Sequence, residues 1–280
     1  MKNFFLIIIV VLSFISCEDV VEIDLPENQE RLVVDALLRV YDSLPGKEME
    51  IRTTLSSNFY DSNPAAEVDL LSITNIDTDE SIDFSPRSGD PGVYTAYIPN
   101  EFLVDATLLL LIEYDGKTFV SLANYIPAVP INSVVQGDGK LFSDDDTEII
   151  INFTDDGNRD DYYLFDFDLN EYILSEDSYY QGEEFEFSFF HEDVRPGDIL
   201  TITLMGVDLE FVNYMNQVLS QSGAQGQGPF QTPVSAIRGN IINISGYDSV
   251  DNIEDAIITD GYALGYFAVV QAYSKTINIH

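Results

Sequence analysis

The chain has one cysteine, two histidines and only 12 lysines and arginines in 280 residues. A single thiol excludes any disulfide within the chain, so its cores must hold by packing alone. Two histidines are too few for a histidine-rich metal site, and His191, between Phe190 and Glu192, reads as a strand-end surface residue. Against the 12 cations stand 49 Asp and Glu, a formal charge of −37. Such a surface repels phosphate backbones, which argues against nucleic acid as a partner. It also repels anionic lipid, so membrane attachment would have to rest on something other than the protein face. No Gly-x-Ser-x-Gly elbow and no phosphate loop is present. Two carboxylates can hydrolyse a glycosidic bond, but among 49 acids chance proximity is assured. The expectation is a protein that is not an enzyme. Apolar material is not scarce: the chain is 45% hydrophobic and 12% aromatic, which is globular rather than disordered composition.

The one cysteine is informative. Met1-Lys2-Asn3 is followed by an apolar run from Phe4 to Ile15, broken only by Ser13, and then by Ser16 and Cys17. A short basic start and an apolar core form a secretory signal. The run is too short for a bilayer-spanning helix, which needs roughly 20 residues. A small residue directly before cysteine resembles a bacterial lipoprotein signal, in which the cysteine is lipidated and becomes the mature N-terminus. An ordinary cleaved signal with a stray cysteine is the alternative. Each buried acyl methylene is worth about 0.8 kcal/mol, so two or three chains anchor essentially for good. Glu18, Asp19, Glu22 and Asp24 follow at once. Acids there resemble the export signal of Bacteroidota-type lipoproteins placed on the outer face of the outer membrane; in so acidic a chain they also occur by chance.

Residues 1–16 are thus expected to be a signal peptide and 17–30 a lipidated acidic tether. Beyond it, short alternating segments set in: 31–40, 47–55 with Met49, Ile51 and Thr53 on one face, 68–76, 81–84, 92–98, and 107–114 joined to 117–123 by Asp115-Gly116, a strong hairpin signal. This spacing predicts a β-sandwich over 31–130 with no amphipathic helix. Pro127, Pro130 and the stretch 136–146 break the pattern and mark a boundary. In 131–280 strands are expected at 148–153, 162–174, 183–190, 199–205, 237–244 and 265–279. One helix is expected over about 208–220, capped by Asp208, with Leu209, Val212, Met215 and Leu219 at helical spacing. The predicted fold is all-β, in two β-sandwich-like (immunoglobulin-like) parts, the second carrying one prominent α-helix.

Three groups of residues are candidate sites. Asp155, Asp156, Asn158, Asp160 and Asp161, and the smaller run Asp144 to Asp146, supply the hard oxygen ligands calcium prefers; neither has EF-hand spacing, and the other reading is a solvated turn. Tyr179 and Tyr180 lie in a turn with Gln181 and Gly182. Gly223, Gly226, Gly228 and Phe230 lie in a glycine-rich loop over 222–231. Tyrosines and flexible loops suit a contact surface, and packing under a neighbouring loop or a plain connector is the alternative. The phenylalanines at 185, 187 and 189 are expected to face a core.

The lipoprotein cysteine, Leu32-Val33-Val34, the segment 155–163, the helix at Phe211 to Leu219, Pro233 to Asn243 and Gly261 to Ala268 form an ordered series. That series resembles the domain of unknown function 4249 family, Bacteroidota lipoproteins of about this length. The resemblance implies an outer-membrane lipoprotein, often encoded beside a TonB-dependent receptor, and carries over no catalytic residues. The function it implies is an accessory or substrate-capturing subunit of such a transporter, exposed at the cell surface. The alternative is a stand-alone structural or adhesion lipoprotein.

Overall fold

The computed structural model describes residues 30–57, 62–141, 146–222, 236–246 and 261–280. The chain is mostly β. Its first strands obey the alternation in the sequence. β1 (Leu32–Val40) buries every second residue from Leu32 to Val40. β2 (Gly46–Leu55) buries Met49, Ile51 and Thr53 and turns Glu48, Glu50 and Arg52 outward. There follow β3 (Leu70–Asn75), β4 (Glu80–Asp83), β5 (Ser85–Pro86), β6 (Val93–Pro99), a helical turn α1 (Asn100–Leu103), β7 (Thr107–Tyr114) and β8 (Lys117–Ile126). The turn between β7 and β8 falls at Asp115-Gly116, as expected, and pairs Tyr114 with Lys117.

After β8 the chain changes cores. Ala128, Val129 and Ile131 bury in a second apolar cluster. β9 (Ile131–Gly137) pairs with β10 (Thr147–Thr154), and β10 pairs with β13 (Glu184–His191), making a separate three-stranded sheet. β9 lies where the sequence predicts a break; Pro130 stops just short of it, and Asn132 and Ser133 mask its apolar rhythm. The single strand expected over 162–174 is instead a hairpin, β11 (Tyr162–Asp166) and β12 (Tyr172–Glu176). Asp168 and Asn170 take positive φ between them, and the Asp168 amide donates to Asp166 Oδ1 at 3.0 Å. Asp and Asn tolerate that conformation, so a polar interruption becomes a turn. β14 (Ile199–Val207) leads to the helix α2 (Leu209–Gln221), and after β15 (Ile242–Asn243) the chain closes with β16 (Leu264–Asn278).

β16 ties both cores together. At about 3.3 Å per residue its 15 residues span roughly 50 Å. Its first half pairs in parallel with β1, from Val33↔Leu264 to Val40↔Gln271, and touches β8 at Val269↔Tyr125 and Val270↔Ile126. Its second half pairs antiparallel with β14, from Met205↔Ala272 to Ile199↔Asn278. Thus the main path runs β4-β3-β7-β8-β16-β1-β2-β6-β5, with β14, β11 and β12 branching from β16. Residues from β1, β2, β3, β6, β7 and β8 share one core, so the sheet curls until it nearly closes. The strand order is that of one continuous sheet plus a three-stranded one, and it does not define two immunoglobulin domains.

The expected strand over 237–244 is mostly a seam filler. Arg238 bridges Leu264, and the Asn240 side chain acts as a peptide group toward β16. Its Nδ2 donates to the Phe267 carbonyl at 2.8 Å, and its Oδ1 accepts from the Phe267 amide at 2.9 Å. Two glycines make the approach possible. A Cβ on Gly239 would fall 1.5 Å from the Gly265 carbonyl oxygen. Gly265 itself has φ +91°, and a Cβ there would fall 1.9 Å from the Val34 oxygen. Beside the seam two guanidinium groups lie over the Tyr262 ring, Arg31 at 4.3 Å and Arg238 at 4.9 Å from its centre.

Candidate functional site

The alternation that buries one face of β1 points Asp35, Leu37 and Arg39 the other way. α2 lies over this outer face. Asp208 caps the helix, accepting from the Phe211 amide at 2.7 Å. Phe211 meets Tyr266 of β16 edge-on at 5.1 Å, and Tyr214 meets the same ring at 4.9 Å. Val212 and Met215 of the predicted face pack against this same core beside Phe211 and Tyr214, and only Leu209 of that set turns out to solvent. Leu209 is 50% exposed, whereas Phe211 is buried. The apolar stripe of the helix is thus wider than that spacing alone predicts, with Phe211 and Tyr214 adding an aromatic edge over Tyr266.

Between α2 and the β1–β2 face a cleft of about 520 Å³ remains open. Its lining includes Tyr172 of β12, Tyr214, Met215 and Val218 of α2, Leu37 and Arg39 of β1, and Lys47 at the start of β2. Burial raises the hydroxyl pKa of Tyr214, with Asp35 adding to it, and burial likewise raises that of Tyr172, with Asp166 adding to it. Both stay neutral donors at neutral pH. The cations differ in how they are satisfied. Arg52 and Arg87 both bind Glu50, at 3.2 and 2.8 Å, and close their own network. Arg39 Nη2 donates to Asp166 Oδ2 at 3.1 Å, but its Nε is buried without a hydrogen-bond partner. The half-buried Lys47 ammonium sits 4.7 Å over the Tyr41 ring, and no carboxylate forms an ion pair with it among the described residues. Burial first, and the Arg39 charge second, lower its pKa. The site offers aromatic faces, neutral hydroxyl donors and two adjoining cations, a set suited to holding a ligand.

The residues singled out in the sequence fall elsewhere. Cys17, Glu18, Asp19, Glu22 and Asp24 lie outside the described residues, as do Gly223, Gly226, Gly228 and Phe230. So do Asp144 and Asp145; Asp146 is buried at the edge of that gap. The acidic turn after β10 is described in full, and its carboxylates point to internal donors. The buried Tyr163 hydroxyl reaches Asp155 Oδ1 at 2.5 Å and Asp161 Oδ2 at 2.8 Å. Asp155 Oδ2 also accepts from the Gly182 amide at 2.8 Å, and Asp161 takes both contacts of the Arg159 Nε, at 2.7 and 2.8 Å. Asp156 accepts from Asn158, and Asp160 from Gln181. Burial raises the Asp161 pKa, against the opposing pull of Arg159 and Tyr163. Among the described residues no three or more His, Cys, Asp or Glu side chains are grouped to hold a metal.

The tyrosine pair splits. Tyr179 is 94% exposed, while Tyr180 turns into the second core, stacks on Phe185 at 4.3 Å and hydrogen-bonds Ser175 at 2.6 Å. Burial pushes its hydroxyl up to about 12. Tyr180 is therefore a core residue and not the contact residue the turn predicts, and of the pair Tyr179 faces solvent. Phe185, Phe187 and Phe189 pack on Phe153, Phe165 and Phe167, the inward face expected of them. The cleft itself went unseen in the sequence because its walls come from β1, β2, β12, α2 and β16. The available signal was Arg39 on the outward face of a strand in a chain that spends cations sparingly.

Comparison with known proteins adds the family. The model of a domain of unknown function, DUF4249, matches residues 18–257. No curated protein matches the chain. Among solved structures, a DUF4785 family protein from Legionella pneumophila is 13% identical, with a TM-score of 0.24 over 63% of this chain and 51% of that one. The chain thus spans about half the length of that relative. Trypsin-activated alpha-2-macroglobulin from Escherichia coli is 12% identical, with a TM-score of 0.23 over 65% of this chain and 15% of that one. A bacterial ice-binding adhesin is 10% identical, with a TM-score of 0.20 over 64% of this chain and 59% of that one.

Proposed function

The chain belongs to the DUF4249 family, and from that premise we propose that it is an outer-membrane lipoprotein facing the cell exterior, a substrate-capturing or accessory subunit of a TonB-dependent transporter. The observation that carries this reading is the apolar run ending at Ser16-Cys17, followed directly by Glu18, Asp19, Glu22 and Asp24. The lipid on Cys17 holds the protein at the membrane, because a surface with a formal charge of −37 has no affinity for anionic headgroups. Residues 18–30 form the tether. Fully extended, such a stretch reaches at most about 45 Å, enough to lift the body clear of the headgroups. We read the body as two sandwich-like lobes, 31–130 and 131–280, that share β16. The cleft beneath α2 supports a capture role, since a concave site with apolar walls and a few polar groups is the usual form of a ligand site.

Membrane fractionation combined with protease treatment of intact cells tests the address. The wild type is expected in the outer membrane and open to external protease. Cys17→Ser is expected to be released or left unprocessed. A Cys17→Ser variant that partitions with the outer membrane like the wild type overturns the anchor.

A further inference from the structure

Cations are rare in this chain and acids are everywhere, at 12 against 49. Four arginines hold carboxylates: Arg39 has Asp166, Arg52 and Arg87 have Glu50, and Arg159 has Asp161. Lys47 holds none among the described residues, yet it lines the cleft beneath α2, is half-buried with its ammonium over the Tyr41 ring, and has a second cation, Arg39, for a neighbour. Holding a desolvated ammonium beside a guanidinium costs free energy on both counts, burial and like-charge repulsion. Arg39 keeps one buried Nε–H with no acceptor, a further unspent donor in the same wall.

We propose that the cleft beneath α2 binds a small organic anion, its carboxylate, sulfonate or phosphate headgroup between Lys47 and Arg39 and its apolar or aromatic body along Tyr172, Tyr214 and Met215. This rests on reading the cleft as a recognition site, and needs no transporter partner. The volume of about 520 Å³ lies within the range of small-ligand sites, about 300–1,000 Å³. The cleft's own acids leave the headgroup position free. Glu50 is held by Arg52 and Arg87, Glu48 stands 4.0 Å from Arg87, and Asp35 forms no ion pair with Lys47 or Arg39 among the described residues. Aromatic faces beside cations suit a flat anion, which gains stacking and charge pairing together.

The test is a fluorescence titration of the mature Cys17→Ser chain with 8-anilinonaphthalene-1-sulfonate, an aromatic anion, and with N-phenyl-1-naphthylamine, the same ring system without the sulfonate. Saturable binding of the sulfonate at one site is expected, with the uncharged probe at least tenfold weaker. Lys47→Glu should weaken the sulfonate at least tenfold, Lys47→Gln by less, and Lys117→Glu, on the β7–β8 turn, not at all. Circular dichroism checks the fold of each variant. Equal affinity of Lys47→Glu and wild type, equal affinity of the two probes, or no saturable binding each overturns the proposal. None of these outcomes touches membrane attachment or co-purification, so the anion can fail while the surface-lipoprotein reading stands.

Discussion

Tyr163→Phe removes one oxygen from a ring that is fully buried in the second core. That hydroxyl reaches two carboxylates, Asp155 at 2.5 Å and Asp161 at 2.8 Å. It has a single hydrogen to give, so the variant loses one charge-assisted bond and leaves two buried acids with one donor fewer. Hydrogen bonds to charged groups contribute about 1.5–3 kcal/mol. At about 2–4 °C per kcal/mol for a chain of this size, Tm should fall by roughly 3–12 °C near neutral pH. The pH dependence has a definite sign. Burial, the largest influence, raises the Asp161 pKa in the folded state, and Tyr163 works against it. A carboxyl with a raised folded pKa contributes most stability when protonated, below its ordinary value, and loses it as pH rises through the folded value. Removing Tyr163 raises that pKa further, so the deficit of the variant should be largest at neutral pH and should shrink toward pH 4. Thermal melts by circular dichroism across this range decide the matter. A Tm within a degree of wild type at neutral pH, or a deficit that grows on acidification, refutes the buried network as the anchor of this turn.

Calcium at millimolar concentration should leave the melting curve unchanged relative to chelator, because Asp155 and Asp161 are already occupied by Tyr163, Arg159 and Gly182; a site filled to 100 times its Kd would add about 2.7 kcal/mol and be plain in the same melt. Gly265→Ala forces a Cβ to within 1.9 Å of the Val34 oxygen at a φ of +91°, so it should destabilise by about 1–3 kcal/mol or more, read as a lower urea midpoint; an unchanged midpoint contradicts the seam geometry. Replacing Glu18, Asp19, Glu22 and Asp24 together by Asn should leave the protein membrane-bound but protected from external protease, and continued cleavage on intact cells removes the export role of these acids.

Local rules made much of the fold legible. Met49, Ile51 and Thr53 share the buried face their alternation predicts, the Asp115-Gly116 turn is in place, and Asp208 caps the helix. These are decided within a few residues. What stayed hidden is decided at long range. The parallel pairing of Val34 with Gly265 joins the two ends of the chain, and no local pattern encodes it. The hairpin at 162–176 looked like one strand because Phe165, Phe167 and Leu169 keep an apolar rhythm through the turn. Gly239 and Asn240 looked like strand residues, yet one is there to let two backbones touch and the other to stand in for a peptide group. The cleft was hidden for the same reason: Arg39, Lys47, Tyr172 and Tyr214 come to line one space only after β16 has brought the two halves together.

The central claim, a surface lipoprotein working with a transporter, is tested most directly by affinity purification of the tagged, natively lipidated protein from outer membranes in several mild detergents. The account predicts that a TonB-dependent barrel comes down with the wild type. It also predicts that deleting Gly223 to Gly228 weakens that association while the circular dichroism spectrum is preserved, since a loop's length costs little stability. Recovery of the wild type alone in every detergent would contradict it, and would favour a lipoprotein that acts at the cell surface by itself.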